Sequence, residues 1–434
     1  MDSPDSPASR LFGLAASLLL GAAVCVWPGR ALAADEASPG IRESAFSLRG
    51  FGSLGVARST NGDAPRIQRN SRQPDGVGNR WSARHDSVLG LQARYRFSDR
   101  VSATVQAVSY YNDEGNFKPD ATAAYLKFDL DPGFFARVGR VPLDLLMLAE
   151  TRMVGYSYIT IRSASEWYHV PINYVDGINA RWRVPVGEGV INIDGTAGFT
   201  RENLPDYKSS GSKMAKGSIS YEVDAWQFRY FYARTRLAHD IDEAADLRRG
   251  LVMTQYPSAI RAADKLALKN TASVHQSLGV GYDDGAWQMQ VAINTVRYEN
   301  YISMDGKGML YAMLARRVGN VTPYIGYSRA KIDPKSLTTG LPAATGIPDL
   351  DDYYRWLDAR VAEAMVISSM RNDAKTFTLG TRWDFRPNMA LKAQIDHMRG
   401  LRARGSSAPW LMNAAGPDWN GKTTMLNVSL DFVF

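Results

Sequence analysis

Cysteine is almost missing from this sequence: Cys25 is the single one in 434 residues, and it lies inside an apolar N-terminal stretch. Past that stretch the chain can form no disulfide, no thiolate zinc site and no cysteine nucleophile. A thiol-free chain suits passage through an oxidising compartment. Histidine is scarce as well. His85, His169, His239, His275 and His397 show no His-x-x-x-His spacing, so no metal-ligand pair is written in the sequence. The Gly-x-Ser-x-Gly, phosphate-loop and dinucleotide fingerprints are also lacking. No catalytic residue, metal ligand or cofactor is therefore expected.

Beyond residue 35 there are no long apolar runs, and mean hydropathy is −0.27. A spanning helix needs about 20 consecutive apolar residues, so spanning helices are excluded. A membrane barrel is not excluded, because only alternate strand residues meet lipid. The N-terminus alone departs from this. Arg10 precedes an apolar run from Leu11 to Trp27, Pro28-Gly29 breaks it, and Ala31-Leu32-Ala33 offers small residues for cleavage. Residues 1–33 read as a secretory signal peptide, even though Asp2 and Asp5 are unusual there. Ala22-Ala23-Val24-Cys25 fits a lipoprotein pattern badly. Runs of one charge are missing too. The net charge of +7 is carried by scattered Lys and Arg, often alternating with apolar residues. That argues against nucleic acid as a partner and leaves anionic surfaces or anionic solutes.

What is present is period-two alternation, in segments about as long as a tilted membrane strand. At the C-terminal end Thr424, Leu426, Val428, Leu430, Phe432 and Phe434 share one face, and Thr423, Asn427, Ser429 and Asp431 share the other. Phe377, Leu379, Thr381, Trp383 and Phe385 likewise oppose Thr376, Thr378, Arg382 and Asp384. The spacing predicts sixteen strands, over 45–58, 87–97, 100–111, 121–130, 134–141, 173–185, 189–201, 213–223, 225–238, 272–283, 286–298, 308–318, 320–331, 374–386, 388–400 and 422–434. The two spans between 308 and 331 alternate poorly.

Short turns and long connections alternate between these strands without exception. The short ones are 98–99, 131–133, 186–188, 224, 284–285, 319 and 387; the long ones are 59–86, 112–120, 142–172, 202–212, 239–271, 299–307, 332–373 and 401–421. Membrane barrels have short turns at one end and long loops at the other, with an even strand count. Phe97, Phe128, Phe134, Trp182, Tyr221, Trp226, Tyr282, Trp287, Trp383 and Phe385 all fall near short turns, as an interfacial aromatic girdle would. In hydrocarbon every backbone polar group must be paired, so the sheet must close. The expected fold class is therefore all-β, a closed antiparallel transmembrane β-barrel of sixteen strands formed by residues 34–434. Its apolar face meets outer-membrane lipid, and at this strand number its polar face encloses water.

The third long connection, 142–172, is too apolar for a solvated outer loop and is expected to fold inward as a constriction. The loops at 239–271 and 332–373 are expected to be extracellular. Residues 349–368 have a helical pattern, with Tyr353, Trp356, Leu357, Val361 and Met365 on one face. A weaker helical pattern in 240–270 breaks at Pro257.

With its signal peptide, sixteen strands, long third loop and terminal Phe434, the chain resembles the Gram-negative general porins, which are typically trimers. The resemblance spans the whole mature chain and rests on layout more than on a sharp motif. It implies passive diffusion of small hydrophilic solutes and a homotrimer. It implies third-loop acids, here Asp144, Glu150 and Glu166, facing a basic wall. It also gives Phe432 and Phe434 a part in the assembly signal read by the barrel-assembly machinery. Arg152 and Arg162 within the third loop, and the long fifth and seventh loops, depart from that family. Arg94, Arg96, Arg137, Arg181, Arg183, Arg229, Arg382 and Lys392 fall on the lumen phase. They either form an anion-favouring wall or pair with inner acids such as Asp384 and Asp396. A substrate-selective anion channel, a barrel enzyme of protease or lipase type, and an adhesion barrel are the alternatives.

Overall fold

The computed structural model describes residues 44–60, 72–144, 151–161, 172–204, 207–300, 307–332, 336–370, 373–400 and 420–434. The signal peptide, Glu150, Arg162 and Glu166 lie outside them.

Sixteen strands follow in chain order: β1 (Phe46–Ser59), β2 (Val88–Arg96), β3 (Val101–Tyr110), β4 (Asp120–Asp131), β5 (Phe134–Pro142), β6 (Tyr174–Val186), β7 (Gly189–Leu204), β8 (Tyr207–Val223), β9 (Trp226–Arg236), β10 (Ala272–Asp283), β11 (Trp287–Tyr298), β12 (Lys307–Arg316), β13 (Val321–Ile332), β14 (Ala374–Arg386), β15 (Met389–Gly400) and β16 (Lys422–Val433). Each pairs antiparallel with its neighbours in sequence, and β1 pairs with β16, so the barrel is closed. The two poorly alternating spans are strands in full register with each other.

The alternation decides which way each side chain points. Leu89, Leu91, Ile193, Leu278, Ile293, Ile325, Leu379 and Ile395 are exposed on the outer face, while Thr104, Asn179, Asn294, Gln394 and Asn427 are buried on the inner one. An exterior of bare aliphatic side chains is a surface made for hydrocarbon. Phe97, Trp182, Trp226, Trp287, Trp383 and Phe385 stand exposed at the short-turn end of that surface.

The seam between the first and last strands has its own construction. Gly50 and Phe434 exchange two backbone hydrogen bonds, 2.7 and 2.9 Å. The rings of Phe432 and Phe434 lie parallel, 6.3 Å apart, over Gly52 and Gly50. Any Cβ at either glycine would enter the ring above it. Glycine is required here by the close approach of a ring rather than by its φ.

Two expectations need correction. Residues 202–204 and 207–212 are strand rather than loop: β7 and β8 run on as a hairpin, with Glu202 opposite Ser209 and Asn203 opposite Lys208. The seventh-loop helix also buries a different face. The fifth loop forms α1 (Asp242–Met253) and α2 (Pro257–Lys265), and the seventh forms α3 (Pro348–Met370). They share a core of Leu251, Ala259, Ala262, Ala263, Leu266, Leu357 and Val361. Tyr354, Leu357, Val361 and Met365 are buried, whereas Tyr353 and Trp356 are 38% and 53% exposed and stack on each other. Tyr354 takes the inner position expected of Tyr353.

Candidate functional site: the barrel lumen

The lumen has two chemically distinct walls, and residues of the third loop touch both. On the first wall, Arg137, Arg181, Arg183, Lys216 and Arg229 project inward from β5, β6, β8 and β9. Arg137 is buried, donates Nε to Asn179 Oδ1 at 2.8 Å, and stacks over the rings of Tyr125 and Phe135. Asp194 accepts from Lys216 Nζ at 2.7 Å, Asn179 Nδ2 at 2.9 Å and Arg181 Nε at 3.2 Å. Asp144, two residues past β5, accepts from Arg229 at 2.5 Å and lies 3.8 Å from Arg181. Among the described residues, the inward-phase acids of this wall are Asp144, Asp194, Glu202 and Glu222, against the cations Arg137, Arg181, Arg183, Lys216 and Arg229, so positive charge is in excess by one. Arg94 and Arg96 add to it from the inward phase of β2.

The opposite wall is β14, β15, β16 and β1, and here residues 151–161 are docked. Arg382 donates to the carbonyls of Tyr156 and Tyr158 at 2.7 and 2.8 Å, and its guanidinium lies 4.6 Å from the centre of the Tyr156 ring. Lys392 donates to the carbonyls of Gly155 and Thr160 at 2.7 and 3.2 Å and pairs with Asp431 at 2.8 Å. The N–H of Ile161 donates to Gln394 Oε1, which also accepts from Tyr324 Oη, both at 2.9 Å. Gly155 heads a short 3-10 turn, Gly155–Ser157, and lies so close to Ser53 and Asp431 that a side chain would not fit. Val154 packs with Phe51, Val108 and Tyr110. Arg152 donates to Ile172 O at 3.0 Å, tying the docked segment to the loop's return.

Asp144 is therefore held at β9, while Gly155 is held at β1. These strands are half the ring apart. Residues of the third loop on either side of 145–150 therefore contact opposite sides of the barrel.

The inner face is not polar throughout. Met214, Phe231, Ala233, Ala292, Val296, Met309, Tyr311 and Ala330 point inward from β8 to β13 and are buried with Leu143 and Ile172 at the two roots of the third loop. An apolar cluster thus fills part of the interior that alternation alone assigns to water.

No family model and no curated protein matches this sequence. Solved structures do. An anion-selective porin from Comamonas acidovorans is similar at 14% identity and a TM-score of 0.52, over 90% of this chain and 100% of that one. OmpF of Salmonella typhi, solved with daunomycin, is similar at 10% identity and a TM-score of 0.53, over 90% of this chain and 97% of that one. The chain has the porin fold.

Within this porin barrel the residues singled out from sequence divide by role. Arg181 and Arg229 are brought together with Asp144, and Arg137 is held on the same wall by Asn179. Arg94, Arg96 and Arg183 share the lumen phase toward the short-turn end. Arg382 and Lys392 instead serve as anchors, and Lys392 is fully buried beneath the docked segment. Sequence reasoning assigned no role to Lys216, Asp194, Asn179, Gln394 and Asp431. All five lie on the polar phase of strands that had been recognised, so alternation alone could have brought them forward.

Proposed function

We propose that this barrel is an outer-membrane porin that passes small hydrophilic solutes by passive diffusion and prefers anions. The observation that carries it is the closed ring of sixteen strands whose β5–β9 wall, among the described residues, holds more inward cations than carboxylates, facing a loop segment anchored on the opposite wall. Guanidinium groups stay ionised and offer paired donors to carboxylates or phosphates, so such a wall raises the local concentration of anions. The third loop is the constriction in this reading, which is supported by Asp144 meeting Arg229 of β9 while residues 151–161 dock on β14, β15, β16 and β1. In this reading the chain is exported with residues 1–33 as its signal, is inserted by the barrel-assembly machinery and assembles as a homotrimer.

Planar-bilayer recording tests the proposal. Purified protein should give stepwise conductance, and a salt gradient should give a reversal potential of anion-selective sign. Absence of channels would sink the pore; cation selectivity would sink the charge argument alone.

A second reading, an enzyme on the barrel, draws on two linked contacts. In the first loop Ser82 Oγ lies 2.7 Å from His85 Nδ1, and His85 Nε2 lies 3.0 Å from Asp75 Oδ1. Ser82 also exchanges backbone hydrogen bonds with Ala57, and Gln73 holds the His85 carbonyl, so the group braces the loop against β1. Labelling by a fluorophosphonate that is lost in Ser82→Ala would favour the enzyme.

A further inference from the structure

The first loop, between β1 and β2, is fastened to β1 and to itself. The N–H of Ser59 donates to Gly78 O at 2.8 Å, and Ala57 and Ser82 exchange backbone hydrogen bonds of 3.0 and 2.9 Å. Gln73 Nε2 donates to the His85 carbonyl at 2.8 Å, and Ser87 Oγ donates to the Ala83 carbonyl at 2.5 Å. Asp75 faces His85 and pairs with Arg84, whose guanidinium lies 4.8 Å from the centre of the Tyr111 ring. Val77 and His85 are buried.

Two neighbouring side chains take no part in this frame. Arg80 is exposed and makes no ion pair or side-chain hydrogen bond among the described residues, and Trp81 is 54% exposed. Both line a cavity of about 480 Å³, together with Gly78, Ser82, Arg84 and His85. Small-molecule sites are largely pre-formed clefts of about 300–1,000 Å³, and this one is of that kind. The backbone at Gly78 is not left-handed, and a Cβ there would meet nothing within 4 Å. A side chain at that position would therefore occupy space the cavity now holds open.

We propose that this cavity binds an aromatic monocarboxylate, with its carboxylate on Arg80 and its ring against Trp81. A guanidinium presents two parallel N–H donors that match a planar carboxylate. The charge of Arg84 is offset by Asp75, so recognition of the anion falls to Arg80. Covering part of an exposed indole with another ring is favourable by area and by ring contact. Phosphate suits the guanidinium but leaves the indole bare. A neutral aromatic covers the indole but leaves the guanidinium unpaired. The inference depends neither on what crosses the lumen nor on the reactivity of Ser82.

Ligand-observed NMR on the full barrel in detergent tests it, with benzoate as the probe and acetate, benzyl alcohol and inorganic phosphate as competitors. Benzoate should bind saturably, about tenfold tighter than any of the three. Arg80→Gln and Trp81→Leu should each weaken it about tenfold. Gly78→Leu keeps both side chains, fills the cavity and should abolish binding. The lumen variant Arg137→Gln, Arg181→Gln, Arg229→Gln should bind benzoate as the wild type does, which separates this site from the pore. No saturable binding to the wild type, or equal affinity for benzoate and any competitor, overturns the proposal whatever the variants do. Benzoate binding that persists unchanged in folded Arg80→Gln or Gly78→Leu, or that is lost in the folded lumen variant, overturns it as well.

Discussion

At the scale of single residues, the lumen shows how a buried charge can be made to hold a loop. Lys392 is enclosed, and its ammonium faces Asp431 and two backbone carbonyls of the third loop. Lys392→Met removes the cation and leaves Asp431 buried without it, a loss of about 3–5 kcal/mol for a broken buried pair. The expected result is a lower denaturant midpoint for barrel unfolding and noisier single-channel current, because the segment loses one of its anchors. Unchanged values of both would show that Arg382 and Gln394 hold the loop without it. The lumen phase of Lys392 was legible from alternation; its partners were not. Carbonyls of Gly155 and Thr160 are present in every sequence and mark nothing. The same limit applies to Asp144. Its acidity was visible, but only closure of the ring brings Arg229 within reach.

At the scale of elements, the strands were legible because lipid on one side and polar contacts on the other impose a strict period of two. The β7–β8 hairpin shows where that signal fails. Ser209, Ser210, Gly211 and Ser212 read as a turn, yet Ser212 Oγ donates to Glu202 at 3.0 Å and the ladder continues past a bulge. Polar residues facing each other beyond the apolar band leave no alternation to read. The helix α3 shows the complementary failure: its period was visible, but which flank meets α1 and α2 is decided by packing. Two further outcomes belong to this scale. Gly52→Val should drive a side chain into the Phe432 ring, slow closure of β1 on β16, and reduce the heat-modifiable folded band on gels; Phe432→Ala in the same chain should restore it in part. Asp284 caps a short turn by accepting from the N–H groups of Trp287 and Ala286, and these bonds hold its carboxyl below the usual carboxylate range. A depressed acid stabilises the fold above its unfolded pKa and loses that contribution as pH falls through its folded value. Amide exchange at Ala286 and Trp287 should therefore quicken under acid beyond its intrinsic trend, and in Asp284→Ala it should already be fast at neutral pH.

At the scale of the whole molecule, charge is divided between the two walls. The inward cations of β14 and β15, Arg382 and Lys392, are engaged by the loop and by Asp384 and Asp431, whereas Arg137, Arg181, Arg183, Lys216 and Arg229 line β5 to β9. Replacing Arg137, Arg181 and Arg229 together by Gln should move the reversal potential toward cation selectivity. The matching change at Arg382 alone should alter conductance more than selectivity. Equal shifts in the two cases would mean that both walls face the permeating ions.

The docking of residues 151–161 on β14, β15, β16 and β1 has a mechanical consequence. A hollow hoop resists squashing only through the stiffness of its rim, whereas a rim with a splint fixed inside it must also shed the splint. Because this splint lies beside the joint of β1 and β16, it braces the place where a cylinder rolled from a single ribbon would be expected to peel first.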